Sequence, residues 1–369
     1  MSVPAEPGTD IVRVDLRRVQ MRLRRPHRAA HGGEELRPSI LVQVTSADGY
    51  VGWGECPALS RPSYTPEHHD GAWDRLRLDA APGLIGAGAI DAGWDARSPE
   101  PMATGSVADA LLDCQLRAQG RGFLRTFVGR GRPVPTTTVV SLTASVEDLL
   151  AEAEQVAGGI KVKVEPGNDV APLRALRTAF PDRWLAADAN GSYSVDDQEH
   201  RAHLAALDEL GLAYLEQPCP GIEANADLSR RMRTVICLDE PIDSLAAAEE
   251  ARRLGALGAL NVKPARVGGL GPACWLLRWC ATQRIPAFVG GMLETGVGRA
   301  GAVCLTFAPG STLPTDLGPS SRYWDQDVTA PIVLDDAGHL VPPDGLGIGV
   351  VPDPDRLAAV TVEHLTFIR

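Results

Sequence analysis

Gly159-Ile-Lys-Val-Lys-Val164 is a short apolar run interrupted by two lysines, and together with Asn261-Val-Lys263 it holds every lysine of the chain. Lysine and arginine together number 36, so arginine fills all the other cationic positions. An exposed cation can be either residue, but only lysine carries an ammonium that can lose its proton near neutral pH and act as a base. Lysines confined to strand-like apolar runs therefore read as chemistry, not surface.

Outward from this stretch, apolar strand-like runs recur at 134–142, 184–187, 213–215, 234–238, 259–262 and 286–289. Helical periodicity fills several of the intervals: 146–156 after a cap at Ser145, 170–180, 195–210 after Ser194, 245–254 after Ser244, and 272–283. Strand and helix alternating at about 25 residues per unit mean a parallel sheet, and so many units in series favour a closed α/β barrel over an open sheet. The first 130 residues read differently. Residues 11–23 and 40–45 alternate like antiparallel strands, the second turning through Ala47-Asp48-Gly49 into 50–54, and helices are expected at 72–77 and 107–117. The tail returns to strand-like alternation at 332–334 and 360–368. The expected division is an α+β capping domain over 1–130, a barrel over 131–325, and a segment over 326–369 that rejoins the cap.

Hydrophobic residues make up 44% of the chain, ample for a core, while a net charge of -11 and pI near 5.3 argue against nucleic acid or an anionic membrane as partner. No apolar stretch is long enough to span a bilayer and residues 1–10 lack a signal-peptide layout, so cytoplasmic residence is expected. The seven cysteines are scattered, without a CxxC pair, and support neither a disulfide framework nor a thiolate zinc site.

In a barrel of this kind the active site forms at the C-terminal ends of the strands. There the chain places Lys163, Asp188, Glu216, Asp239 and Lys263 on successive units, 23 to 28 residues apart. One carboxylate alone would read as a helix cap; three in consecutive units point to a metal site. An all-oxygen set suits Mg²⁺, with Mn²⁺ as the alternative. Such a metal, flanked by lysines, could bind a substrate carboxylate and hold the charge that develops when its α-proton is removed. A lysine base must be neutral to work, and Lys161, the metal and Arg266 are expected to lower a lysine pKa.

Lys-Val-Lys at 161–163, Asp-Ala-Asn at 188–190, Leu-Glu-Gln-Pro at 215–218, Leu-Asp-Glu at 238–240, Asn-Val-Lys-Pro-Ala-Arg-Val-Gly-Gly at 261–269 and Gly-Gly-Met-Leu-Glu-Thr-Gly-Val-Gly-Arg-Ala at 290–300 resemble the muconate-lactonising subgroup of the enolase superfamily. The last two most resemble its o-succinylbenzoate synthases and N-acylamino acid racemases. Gly-Trp-Gly-Glu-Cys at 52–56 is similar to the family's capping domain, and Ser321-Arg-Tyr-Trp324 with Asp327-Val328 to its C-terminal segment. The resemblance implies a modified (β/α)7β TIM-like barrel with an α+β cap, assembled as a homo-oligomer and acting on a small-molecule carboxylate. It implies Asp188, Glu216 and Asp239 as metal ligands and Lys163 and Lys263 as catalytic lysines on opposite faces of the substrate. Lys161, Arg266, Gly291, Met292 and Glu294 would contact substrate, and Asn190 and Glu240 would orient the metal and lysines from behind.

Departures from the family's pattern fall in the pocket. Pro241 stands where a small hydroxyl residue is usual, and Thr315 where Pro-Gly-Asp is usual, though Asp316 remains. The loop at 26–33 lacks the aromatic and hydroxyl residues of the family's substrate cover, and the first barrel strand fits poorly. The implied reaction is Mg²⁺-assisted dehydration of a cyclohexadiene carboxylate to o-succinylbenzoate; the alternative is racemisation of N-acylamino acids, and muconate cycloisomerisation or dipeptide epimerisation comes third. An inactive metabolite-binding barrel is the reading from another class.

Overall fold

The computed structural model describes residues 10–29, 32–85, 100–129, 131, 133–140, 145–156 and 158–369. The side chains of the loop at 26–33, and residues 141–142 of the first expected barrel strand, lie outside the described residues. The elements in order are β1 (Ile11–Ala29), β2 (Gly32–Ser46), β3 (Val51–Cys56), α1 (His69–Arg75), α2 (Ala81–Leu84), α3 (Pro101–Ala118), β4 (Thr137–Val140), α4 (Val146–Glu154), β5 (Gly159–Lys163), α5 (Val170–Ala179), β6 (Leu185–Asp188), α6 (Gln198–Asp208), β7 (Leu215–Glu216), α7 (Glu223–Arg231), β8 (Ile236–Leu238), α8 (Leu245–Leu254), β9 (Ala259–Val262), α9 (Leu270–Gln283), β10 (Ala287–Val289), α10 (Gly296–Leu305), α11 (Pro354–Val360) and β11 (Thr361–Ile368). A π-helical turn, Leu76–Ala80, joins α1 to α2.

β4 to β10 form one parallel sheet in sequence order. The segment after α10 closes it. Ser311 bridges in parallel to Ala287 at one end, and Thr315 bridges to Thr136 at the other, with Thr137 N–H donating to Thr315 O at 2.7 Å. Seven strand-helix units and a final extended segment make the (β/α)7β barrel. Its strands β5 to β10 are buried almost throughout, as expected of a sheet with helices outside and packed side chains inside.

The second sheet is antiparallel, ordered β11-β1-β2-β3. β11 pairs along β1 from Arg13 with Ile368 to Val19 with Thr361, so the chain end completes the sheet that the chain start began. The two glycines of Gly52-Trp-Gly54 let α3 lie directly on β3. A Cβ on Gly52 would sit 2.0 Å from Ala110 O, and one on Gly54 1.9 Å from Ser106 O. Any side chain there would drive the helix off the strand.

Ser145 and Ser244 cap their helices as expected, each accepting a backbone N–H. α6 starts at Gln198 instead of 195, because Asp197 supplies the cap, accepting from Glu199 and His200. α3 begins six residues before the expected 107, since the Glu67 carboxylate, far away in sequence, takes the Met102 and Ala103 N–H groups at 2.8 and 2.7 Å. Besides the single turn of α2, three helices carry no readable pattern. α7 is polar along most of its length, α10 is buried nearly all round and so lacks an amphipathic stripe, and α11 is a single short turn pair. The strand expected at 332–334 is a single bridge, Leu334 to Leu340. All seven cysteines are buried and unpaired. Among the described residues no helix is long and apolar enough to cross a membrane.

Candidate active site

β5 presents Lys161 and Lys163 two residues apart, so both leave the same face of the strand. Strand register sets Lys163 beside Asp188 and Asp188 beside Glu216. Asp239 directly follows β8 and Lys263 directly follows β9. Regular parallel pairing thus turns the sequence spacing into an arc of charged side chains at one end of the barrel, with Asp188, Glu216 and Asp239 only 2%, 0% and 0% exposed.

These groups are joined by direct ion pairs. Lys163 Nζ donates to Asp188 Oδ2 at 2.6 Å and to Asn190 Oδ1 at 2.8 Å, and Asn190 Nδ2 donates to Glu240 Oε1 at 2.9 Å. Lys161 Nζ donates to Glu216 Oε2 at 2.8 Å and Asp316 Oδ2 at 2.5 Å, lying 5.2 Å from the centre of the Phe288 ring. The other Glu216 oxygen accepts from Asn261 Nδ2 at 2.7 Å. Lys263 Nζ donates to Asp239 Oδ2 at 2.8 Å, and Arg266 Nη1 donates to Asp239 Oδ1. Asn190 and Gln217, at φ 44° and 37°, hold a left-handed backbone that non-glycine residues adopt at a cost. Gln217 is kept there by bonds, its Oε1 accepting the Asp239 N–H at 2.9 Å and its Nε2 donating to Cys219 O at 2.7 Å.

At Lys161 and Lys263 the net electrostatics run upward, against the lowering expected from sequence. Burial pulls the Lys161 pKa down, but Asp316 and Glu216 beside it prevail and hold it well above the ordinary lysine value. Burial, the largest influence on Lys263, pulls its pKa down and Arg266 lowers it as expected, yet Asp239, Tyr64 and Glu216 together prevail and hold it well above the ordinary lysine value. The carboxylates are crowded in return. Burial, then Asp188, pushes Glu216 up to about 8, and burial, then Asp239, pushes Glu240 up to about 7.

These residues border a cavity of about 840 Å³. Lys161, Lys163, Asp188, Asn190 and Lys263 line it, as do Gly291, Met292 and Glu294 of the motif at 290–300. Leu23, Leu59, Val139, Val140 and Leu317 give it apolar walls. Glu216, Asp239 and Glu240 stand behind this lining. So does Arg266, expected from its motif to contact substrate. It is wholly buried, and its guanidinium reaches Asp239, Tyr64, Ile242 O and Asn261 O. Three participants went unread in the sequence. Tyr64 arrives from the capping domain, Asn261 was seen only as part of a motif, and Asp316 was noted without a role; only the two-residue alternation with Lys263 could have marked Asn261 as inward-facing.

Among the described residues, no three acidic, His or Cys side chains stand with their donor atoms gathered as a ready-made metal cage. Their oxygens are turned onto ammonium and guanidinium groups instead. The donor set nevertheless suits a hard divalent cation. It is all carboxylate, Asp188, Glu216 and Asp239 are buried, and Asp188, Glu216, Asp239, Glu240 and Asp316 outnumber the cations Lys161, Lys163, Lys263 and Arg266. The upward push of Asp188 on Glu216 is the mutual repulsion that a shared cation relieves.

Residues 144–356 match the family model described as enolase C-terminal domain-like. The chain belongs to the enolase superfamily. Relatives place it further, in the group of o-succinylbenzoate synthases and N-acylamino acid racemases. It is 40% identical over 364 residues to the N-succinylamino acid racemase of an Amycolatopsis species, spanning 94% of this chain and 96% of that one. It is 36% identical over 354 residues to the o-succinylbenzoate synthase of Geobacillus stearothermophilus, spanning 93% of each. Among solved structures, an enolase superfamily protein from Listeria innocua superposes with a TM-score of 0.89 at 28% identity, covering 98% of this chain and 99% of that one. A probable mandelate racemase from Alicyclobacillus acidocaldarius superposes at 0.87 with 34% identity, covering 97% and 98%.

Proposed function

We propose that this enzyme is an o-succinylbenzoate synthase, dehydrating a cyclohexadiene carboxylate on the way to menaquinone. The observation that carries the reading is one cavity lined by Lys163 and Lys263 with Asp188 between their strands and Glu216 and Asp239 directly behind. Asp188, Glu216 and Asp239 would hold a Mg²⁺ ion, Mn²⁺ being the alternative. When bound, that ion supplies positive charge to a substrate carboxylate whose α-proton is leaving and relieves the crowding of the carboxylates.

The residues of the chain do the rest. Lys161 anchors the substrate carboxylate. Lys163 takes the α-proton onto Nζ and returns it to the departing hydroxyl, which leaves as water while the ring becomes aromatic. Asn190, held by Glu240, fixes the direction of Lys163 so that the same amine faces both the α-carbon and the leaving group. Lys263 stays a cation beside the flattened intermediate, and the apolar walls exclude bulk water.

Racemisation of N-succinylamino acids is the second reading, favoured by the second lysine on the cavity wall and by the 40% identity to a racemase. It requires Lys163 and Lys263 as acid and base on opposite faces. Offering the purified protein both substrates with Mg²⁺ and comparing kcat/KM decides between them. Turnover of neither substrate refutes both. Cytoplasmic residence and homo-oligomeric assembly belong to the same proposal.

A further inference from the structure

The two candidate lysines are positioned by different parts of the molecule. Lys163 is held by Asp188 and Asn190, both of the barrel. Lys263 has one barrel partner, Asp239, and one from the cap, the hydroxyl of Tyr64 at 2.8 Å. Tyr64 lies in the segment between β3 and α1, some 199 residues earlier in the chain. Its hydroxyl donates to Asp239 Oδ2 at 3.0 Å and accepts from Arg266 Nη1 at 2.5 Å, and the face of its ring lies 4.8 Å from Lys263 Nζ.

An ammonium has three donor hydrogens on a flexible four-carbon stem, so one acceptor leaves it free to swing. Asp239 and Tyr64 take two of the hydrogens, and the ring covers one flank. The third direction is left for the cavity that both Lys263 and Tyr64 line. We propose that Tyr64 is a positioning residue that sets Lys263 and not Lys163, so that the capping segment controls chemistry on one face of the substrate only. This rests on the reading of the lysines as acting on opposite faces.

The consequence is selectivity between the two reactions of the family. A synthase needs a base on one face and only positive charge on the other, whereas a racemase needs an accurately aimed amine on both. Loss of the Tyr64 hydroxyl should therefore injure racemisation more than dehydration.

The test uses the Mg²⁺-loaded full chain with Tyr64→Phe, which keeps the ring against the ammonium and removes only the hydroxyl. Each enantiomer of an N-succinylamino acid is incubated in heavy water, the face of each being assigned with Lys163→Ala. Exchange of the α-proton facing Lys263 is expected to fall about tenfold or more, the loss that follows a hydrogen bond to a charged group. Exchange facing Lys163 should stay within about threefold, and Mg²⁺ affinity by calorimetry should likewise stay within about threefold, both below the energy of one such bond. An equal fall on both faces, or a matching loss of Mg²⁺ affinity, overturns the proposal in favour of an action through Asp239 or the pocket as a whole. If the parent exchanges both enantiomers and Tyr64→Phe matches it, this inference alone falls. A parent that exchanges neither enantiomer overturns the reading of two lysines on opposite faces and this inference with it, while the synthase reading is judged separately by turnover of the cyclohexadiene carboxylate.

Discussion

Glu55, on β3 of the capping sheet, holds the first turn of barrel helix α10 through Thr295. Its carboxylate accepts the Thr295 N–H at 2.9 Å and the Thr295 hydroxyl at 2.7 Å, along with the Gly298 N–H at 2.9 Å and the Ser39 hydroxyl at 2.7 Å. Thr295 follows directly on the cavity-lining residues 291–294, so the cap sets one wall of the active site. Burial raises the Glu55 pKa, and these donors oppose it.

Glu55→Gln puts an NH₂ group where N–H and O–H donors converge. We expect it to cost about 1–3 kcal/mol of stability, the penalty for a buried donor left without a partner. It should also raise KM by loosening the wall. Denaturant unfolding and steady-state kinetics check this; unchanged midpoint and KM would show that the wall is held by other contacts.

Asp239→Asn is expected to weaken Mg²⁺ binding and abolish turnover. Because Asp239 also pairs with Lys263 and Arg266, the variant leaves buried cations without their counter-charge, and a stability loss of about 3–5 kcal/mol accompanies it. Calorimetric Mg²⁺ titration and thermal unfolding read the two effects separately. Wild-type activity at limiting Mg²⁺ would remove Asp239 from the ligand set.

The lysines separate the rival reactions. Lys163→Ala should abolish both. Lys263→Arg keeps the cation and loses the base, so measurable synthase activity should persist while racemisation is lost. In heavy water this variant should exchange only the enantiomer whose α-proton faces Lys163. Equal exchange of both enantiomers would show that Lys263 is not the second base.

Asp109, on α3, accepts the Leu270 N–H at 2.8 Å at the junction of cap and barrel, and burial pushes its pKa from 3.8 up to about 7. The folded state binds this proton more tightly than the unfolded chain does. Its contribution to stability is therefore complete below about pH 4 and is lost as pH rises toward 7. Asp109→Asn keeps the acceptor and cannot ionise, so it should be more stable than the parent at pH 8, with the gap closing by pH 4. Melting temperatures of both proteins across that range measure it; parallel curves would show that Asp109 is ionised throughout.

Residue type and spacing alone determined the parallel strand-helix array, favoured its closure into a barrel, and marked the arc of Lys163, Asp188, Glu216, Asp239 and Lys263. The reason is local: a parallel strand-helix unit repeats at nearly constant length, and the strand's two-residue alternation decides which side chains face inward. Serine caps at 145 and 244 were legible on the same ground, being bonded to N–H groups within three residues. What only the tertiary structure decided depends on how distant pieces dock. Glu67 starts α3 from another segment, and burial on every side erased the periodicity of α10. Arg266 was drawn onto Asp239, and Lys161 and Lys263 are held charged by the acidic groups they face. Tyr64 meets Lys263 because the capping sheet is seated over the strand ends, and no periodicity links residues so far apart; their contact exists only once both domains have folded and packed.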